Sequence, residues 1–177
     1  MPAPETDTRV RPQHLEFRRP VVADGASMWR IAKDSGALDL NSSYAYLLWC
    51  RDFAATSIVA DAGDQLAGFV TGYRRPDQPD TLVVWQVAVA ESQRGQGIAG
   101  QMLAELADRT VVQPPEQRVD RMETTITPDN EASIALFTSF AHERRCRVEQ
   151  IPLFHPADFP DGHDTEVLFR IGPWCSR

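Results

Sequence analysis

The run Val87-Ala88-Val89-Ala90-Glu91-Ser92-Gln93-Arg94-Gly95-Gln96-Gly97-Ile98-Ala99 limits the possible folds more than any other stretch. It closes a strongly β-prone segment, Thr81 to Ala90, filled by Leu82, Val83, Val84, Trp85, Val87 and Val89. A helical pattern follows from about Gly97 to Val111. A buried strand therefore ends in a glycine-bearing loop that opens a helix. Two glycines permit positive φ and let the backbone approach a ligand closely. Consecutive N–H groups there converge with the helix N-terminal dipole, which suits a pyrophosphate without a lysine. The same glycines also suit a plain tight turn from strand to helix. The dinucleotide fold fits less well, because its GxGxxG spacing is absent and no early βαβ unit starts the chain.

The flanking segments predict a mixed α/β (α+β) sheet covered by helices. Residues 1–14 read as a disordered tail, and 15–173 as one domain. Leu15 to Arg19 predicts a short strand, Asp24 to Lys33 a helix, and Tyr44 to Phe53 a second helix behind the capping residues Asn41-Ser42-Ser43. That second helix is apolar almost all round and is expected to be well buried. Thr56 to Asp61 and Gln65 to Arg74 form a hairpin through Ala62-Gly63-Asp64, and Arg75 to Asp80 reads as a proline-rich loop. After the glycine loop and its helix, Pro114-Pro115 breaks the chain. Arg121 to Thr127 is a strand and Glu131 to His142 a helix. Cys146 to Ile151 and Glu166 to Ile171 are the last strands. Strand-helix-strand order implies at least one parallel pair.

Composition excludes several classes. The net charge of −7 argues against nucleic acid, which needs a basic face. No apolar run is long enough to span a bilayer, and the polar N-terminus lacks the apolar stretch of a signal peptide, so a cytoplasmic protein is expected. Cys50, Cys146 and Cys175 form no CxxC pair, which suggests free thiols in a reducing compartment. His14, His142, His155 and His163 lack close ligand spacing, so no metal is expected.

Arg94-Gly95-Gln96-Gly97-Ile98-Ala99 resembles the R/Q-x-x-G-x-G/A signature of the GNAT N-acetyltransferase superfamily. The strand Trp85 to Val89 precedes it, and Asn130-Glu131-Ala132-Ser133-Ile134-Ala135-Leu136-Phe137 follows like the family's N-x-x-A-x-x-L-Y segment. The resemblance implies the GNAT fold, with acetyl-coenzyme A in a cleft at a splayed parallel strand pair. It implies that the backbone of Val87 and Val89 pairs with the pantetheine arm. Arg94, Gly95, Gln96, Gly97, Ile98 and Ala99 then hold the pyrophosphate, and Asn130 and Phe137 lie near the sulfur. Phe137 stands where the family often has a tyrosine that protonates the leaving thiolate. Either another group supplies that proton, or coenzyme A leaves as the thiolate, which a thiol pKa near about 8.5 tolerates.

Longer strings narrow the resemblance. Leu38 to Leu48, Pro79 to Val89 and Phe159-Pro160-Asp161-Gly162-His163 are similar to the L-2,4-diaminobutyrate acetyltransferases of ectoine synthesis, over about residues 15 to 173. The implied partner is a small diamine amino acid, with the enzyme a homodimer. Such a substrate needs acidic groups, an aromatic wall and a donor for its carboxylate. Asp39, Tyr44, Trp85, His163 and Glu166 are the candidates around one cleft. Each also has a plainer explanation: Asp39 a turn cap, Trp85 core packing, Tyr44 a buried tyrosine, His163 a loop histidine and Glu166 a solvated strand residue. Glu166 and Asp39 are both candidates for the base that deprotonates the attacking amine, and one of them for an anchor of the second ammonium. Backbone N–H groups around Val87 are placed to stabilise the oxyanion. Two alternatives stay open: an acetyltransferase for another small amine, and a non-catalytic coenzyme A sensor.

Overall fold

A computed structural model describes residues 15–36, 38–111 and 118–174. The expected N-terminal tail and the Pro114-Pro115 break lie outside the described residues. The strands are β1 (Glu16–Arg18), β2 (Ile58–Asp61), β3 (Leu66–Arg75), β4 (Gln78–Val89), β5 (Arg121–Ile126), β6 (Val148–Phe154) and β7 (Glu166–Ile171). The helices are α1 (Gly25–Ser35), α2 (Ser43–Asp52), α3 (Ile98–Val111) and α4 (Glu131–Glu143). One seven-stranded sheet runs β1-β2-β3-β4-β5-β7-β6. Every pairing is antiparallel except β4 with β5. A parallel pair needs a long crossover, and α3 provides it.

The sheet has a core on each face. Met102, Leu103 and Leu106 of α3 and Phe137 and Phe140 of α4 bury one face. Met28 of α1 and Tyr46 and Cys50 of α2 meet Val59 and Phe69 on the other. In α2 the buried positions Tyr46, Trp49 and Cys50 recur at helical spacing. The expectation of a well-buried second helix is not met: Tyr44 is 64% exposed, and Leu47 and the following Phe53 are exposed too. A helix lying on one face of a sheet has only one stripe to bury, whatever the apolar content of its back.

The expected loop from Arg75 to Asp80 is also corrected. Pro76-Asp77 is a tight turn, and β4 begins at Gln78, paired with Arg75. Arg75 and Asp77 form an ion pair across the turn at 2.9 Å. Pro79 falls in the register irregularity between Gln78 and Leu82, where a missing N–H removes no ladder bond.

A second irregularity shapes the site. Thr71 faces Gln86 and Gly72 faces Val84, so Trp85 is an extra residue in β4. This β-bulge turns two neighbours toward α2: Trp85 packs on Trp49 at 4.9 Å, and Gln86 bonds Tyr46. Val84 and Val87, on either side, pack into the opposite core. A bulge bends its strand and increases its twist. Accordingly β4 pairs with β5 only from Thr81 to Val83, and the two strands part beyond it.

Gly72 makes room for the bend. A Cβ there would sit 2.8 Å from the Val83 carbonyl oxygen and 2.9 Å from that of Thr56, both backbone atoms that cannot rotate away. Gly72→Ala is therefore expected to cost about 1–3 kcal/mol. Urea unfolding checks this, the midpoint falling while the slope stays constant.

Candidate active site

Where β4 and β5 part, a cleft of about 570 Å3 opens. Trp85 and Gln86 of β4 form one wall, and Thr125 and Ile126 of β5 the other. Asp39 comes from the segment before α2, Asp129 and Asn130 from the turn before α4, Asp164 from the β6–β7 connection and Glu166 from the start of β7. Four acidic residues thus line the cleft, and no lysine or arginine lines it among the described residues. The potential inside favours a cation.

His163 sits between two of these acids. Its Nε2 lies 3.5 Å from an Asp39 oxygen and 3.7 Å from Glu166 Oε1. Its Nδ1 is 2.9 Å from the Asp164 carbonyl oxygen. A carbonyl only accepts, so Nδ1 carries the proton and Nε2 faces the carboxylates. The Asp164 carbonyl and the two carboxylates hold the imidazole pKa above its ordinary value. Phe159 stacks on the ring at 4.5 Å, fixing its plane. The two acids differ in setting. The Asp39 side chain is 90% exposed, against 18% for Glu166. Glu166 Oε2 is buried without a hydrogen-bond partner. A buried, unpartnered carboxylate oxygen is costly in a resting protein and marks a place for a ligand donor.

The aromatic wall is Trp85, which stays 44% exposed while its inner edge rests on Trp49. An exposed indole face beside carboxylates suits an ammonium group. Tyr44 is not among the residues lining the cleft. Tyr46, one α2 position pair later and fully buried, reaches it instead through Gln86, donating to Gln86 Oε1 at 3.0 Å. Neither Gln86 nor Asp129 was singled out in the sequence. The signal for Gln86 was present: it is the one amide inside the apolar run Leu82 to Val89.

The glycine loop lies at the end of β4. Gly95 and Gly97 have φ of 77° and 71°, the left-handed region that disfavours other residues. A Cβ at Gly95 would meet nothing within 4 Å, so the space before the loop is open. Gln96 Nε2 donates to Gln93 Oε1 at 3.2 Å, and Gln101 Nε2 to the Gln96 carbonyl at 3.3 Å, pinning both sides of the turn. Arg94 Nε donates to the Val89 carbonyl at 3.3 Å. Gln101 N–H makes the first α3 bond, to Gly97. Ile98, Ala99 and Gly100 come before it, at the positions where helix N–H groups lack intrahelical acceptors. Val87 and Val89 are half-buried in the stretch of β4 that has left β5, so that edge of the strand has no strand beside it. Open space, convergent N–H groups and a free strand edge fit a pyrophosphate with an extended amide-bearing arm.

Asn130 caps α4, its Oδ1 accepting from Ser133 N–H at 3.0 Å, which leaves the amide nitrogen for the cleft. Phe137 lies two turns on, on the same face of α4, and is buried in the core. Among the described residues, no group of three or more His, Cys, Asp or Glu could hold a metal ion, and no helix is long and apolar enough to cross a membrane.

The acetyltransferase (GNAT) family model matches residues 26–141, which contain the glycine loop, the bulged strand and the Asn130 cap. L-2,4-diaminobutyric acid acetyltransferase of Streptomyces coelicolor is 59% identical over 90% of this chain and 93% of its own length. That of Marinococcus halophilus is 45% identical over 96% of each chain. Among solved structures, diaminobutyrate acetyltransferase from Paenibacillus lautus, in complex with L-2,4-diaminobutyric acid and coenzyme A, superimposes with a TM-score of 0.84 at 39% identity. That match covers 94% of this chain and 99% of the other. With the cleft, the loop and the bulge all in place, the chain belongs to the GNAT family of acetyltransferases.

Proposed function

We propose that this chain moves the acetyl group of acetyl-coenzyme A onto the γ-amine of L-2,4-diaminobutyrate, giving N-γ-acetyl-diaminobutyrate in ectoine synthesis. The observation that carries this reading is a cleft lined by four acidic residues and His163, with no lysine or arginine among the described residues. Diaminobutyrate brings two ammonium groups and one carboxylate, so its net charge complements that lining. The names of the relatives at 45–59% identity agree with it.

The roles follow from burial. Glu166, with its unpartnered buried oxygen, is the base for the γ-ammonium. Asp39, exposed at the rim, anchors the α-ammonium, and Trp85 offers its ring face to a cation. The amide nitrogen of Asn130 is the donor for the substrate carboxylate. Glu166 takes one proton from the γ-ammonium. The freed lone pair forms the N–C bond as the C–S bond breaks. The second proton passes from nitrogen to sulfur or to water. Phe137 has no proton to give, and a thiol pKa of about 8.5 lets coenzyme A leave as thiolate. The reading extends to a cytoplasmic homodimer serving osmoadaptation, with the exposed Tyr44 and Leu47 of α2 and the adjoining Phe53 as apolar surface for a second copy.

Thiol release from acetyl-coenzyme A, with diaminobutyrate, ornithine, lysine and spermidine at equal concentration, tests the substrate. The expected outcome is a preference for diaminobutyrate of about tenfold or more in kcat/KM, with the acetyl on the γ-nitrogen by NMR. Preference for another amine would keep the acetyltransferase and discard the diamine acid. Cofactor binding with no turnover on any amine would favour a coenzyme A sensor.

A further inference from the structure

We infer that Gln86 and Tyr46 are positioning residues that hold the Asp39 segment over the cleft and thereby set the amine selectivity. The inference rests on the proposed role of Asp39.

Gln86 is 4% exposed within an apolar strand. A buried amide is tolerated only when its groups are bonded. Its Nε2 donates to the Asp39 main-chain carbonyl at 3.0 Å, and its Oε1 accepts from the Tyr46 hydroxyl at 3.0 Å. Its backbone N–H donates to Thr71 Oγ1 at 3.1 Å, which ties the bulge to β3. The directions are forced. A carbonyl cannot donate, so the amide nitrogen must face Asp39. The amide oxygen must then face Tyr46, and Tyr46 must donate. Asn41 also hydrogen-bonds the Tyr46 oxygen and donates to the Asp39 carbonyl at 3.3 Å.

Nothing else fixes Asp39 as firmly. The segment from 38 to 42 is neither helix nor strand. The Asp39 side chain is 90% exposed, with His163 at 3.5 Å as its ion-pair partner among the described residues. The carboxylate assigned to the α-ammonium is therefore held through its own main chain by a glutamine on β4, and its distance from Glu166 sets the spacing between the two nitrogens, which is where diaminobutyrate and ornithine differ. The bulge at Trp85 is what turns that glutamine toward α2.

The test compares Gln86→Leu, Gln86→Glu and Tyr46→Phe with the wild type, on the amine the wild type prefers. Gln86→Leu is expected to raise the amine KM about tenfold or more while the acetyl-coenzyme A KM stays within about twofold, because only amine anchoring is lost. Gln86→Glu keeps the shape but sets an acceptor against a carbonyl, so it is expected to match Gln86→Leu. Tyr46→Phe keeps the ring contact with Phe69 at 6.0 Å and is expected to give a smaller rise of the same kind. Tyr46→Phe added to Gln86→Leu is expected to do no further harm, since both act through one chain of bonds. Discrimination between diaminobutyrate and ornithine is expected to shrink in every variant. Equal rises in both KM values, additive losses, or an unchanged amine KM would overturn the inference. Tyr46→Phe decides the matter if the Gln86 variants do not fold. Wild-type preference for an amine other than diaminobutyrate removes the substrate reading alone. A wild type silent on every amine removes both.

Discussion

Glu166→Gln is expected to lower kcat/KM for diaminobutyrate by about three orders of magnitude, within the range for losing a positioned general base. The substitution keeps the side-chain shape. It removes the group able to take the γ-ammonium proton, along with a negative charge in the cleft. Because Oε2 is buried and has no partner, an amide there is not expected to lower Tm, and a small rise fits the release of stored desolvation cost. Loss of activity with unchanged or raised Tm separates a chemical role from a structural one. Asp39→Asn acts at an exposed rim carboxylate and is expected to raise the amine KM with a smaller loss in kcat. Steady-state thiol release on both variants, with melting curves alongside, reads the contrast. If Glu166→Gln kept more than about a tenth of the wild-type rate, the base would have to be sought elsewhere.

The parts legible in the sequence were those fixed by local chemistry. β-branched and apolar residues located β4, helical spacing located α1, and the turn Pro128-Asp129-Asn130 marked the way into α4. The strand-loop-helix order around Gly95 and Gly97 was legible too, because positive φ is a property of glycine itself. Asp39, His163 and Glu166 were legible only through resemblance. Asp39 lies far in sequence from the neighbouring pair His163 and Glu166, and it meets them because the β6–β7 connection folds back to the segment before α2.

The parts that were not legible depend on register. Nothing in Val84-Trp85-Gln86 says that one strand has an extra residue there, since a bulge is a property of two strands. Without the bulge, alternation would place Trp85 and Gln86 on opposite faces, and Gln86 would have no route to Tyr46. The same blindness favoured Tyr44 over Tyr46: both carry a hydroxyl, and only the packing of α2 decides which one is buried. Pro76 and Pro79 were read as loop residues because prolines usually break strands. A tight turn and an unpaired register position accommodate them here.

Gly95→Ala is expected to raise the acetyl-coenzyme A KM by about thirtyfold or more, leaving the diaminobutyrate KM nearly unchanged. Two effects are combined in that substitution and can be separated. The first is backbone strain: a φ of 77° costs an L-residue about 1–2 kcal/mol, which lowers Tm with or without ligand. The second is steric. The new methyl meets nothing within 4 Å of the protein, so it does not disturb packing. It projects into the open space that a pyrophosphate must enter to reach the loop N–H groups. Titrating acetyl-coenzyme A against Tm distinguishes the two. In the wild type, saturating cofactor raises Tm by mass action, and in Gly95→Ala that increment should largely vanish at the same concentration. A lowered Tm that still rises normally with cofactor would mean the glycines serve a strand-to-helix turn and no more, and the phosphate site would have to lie elsewhere along α3.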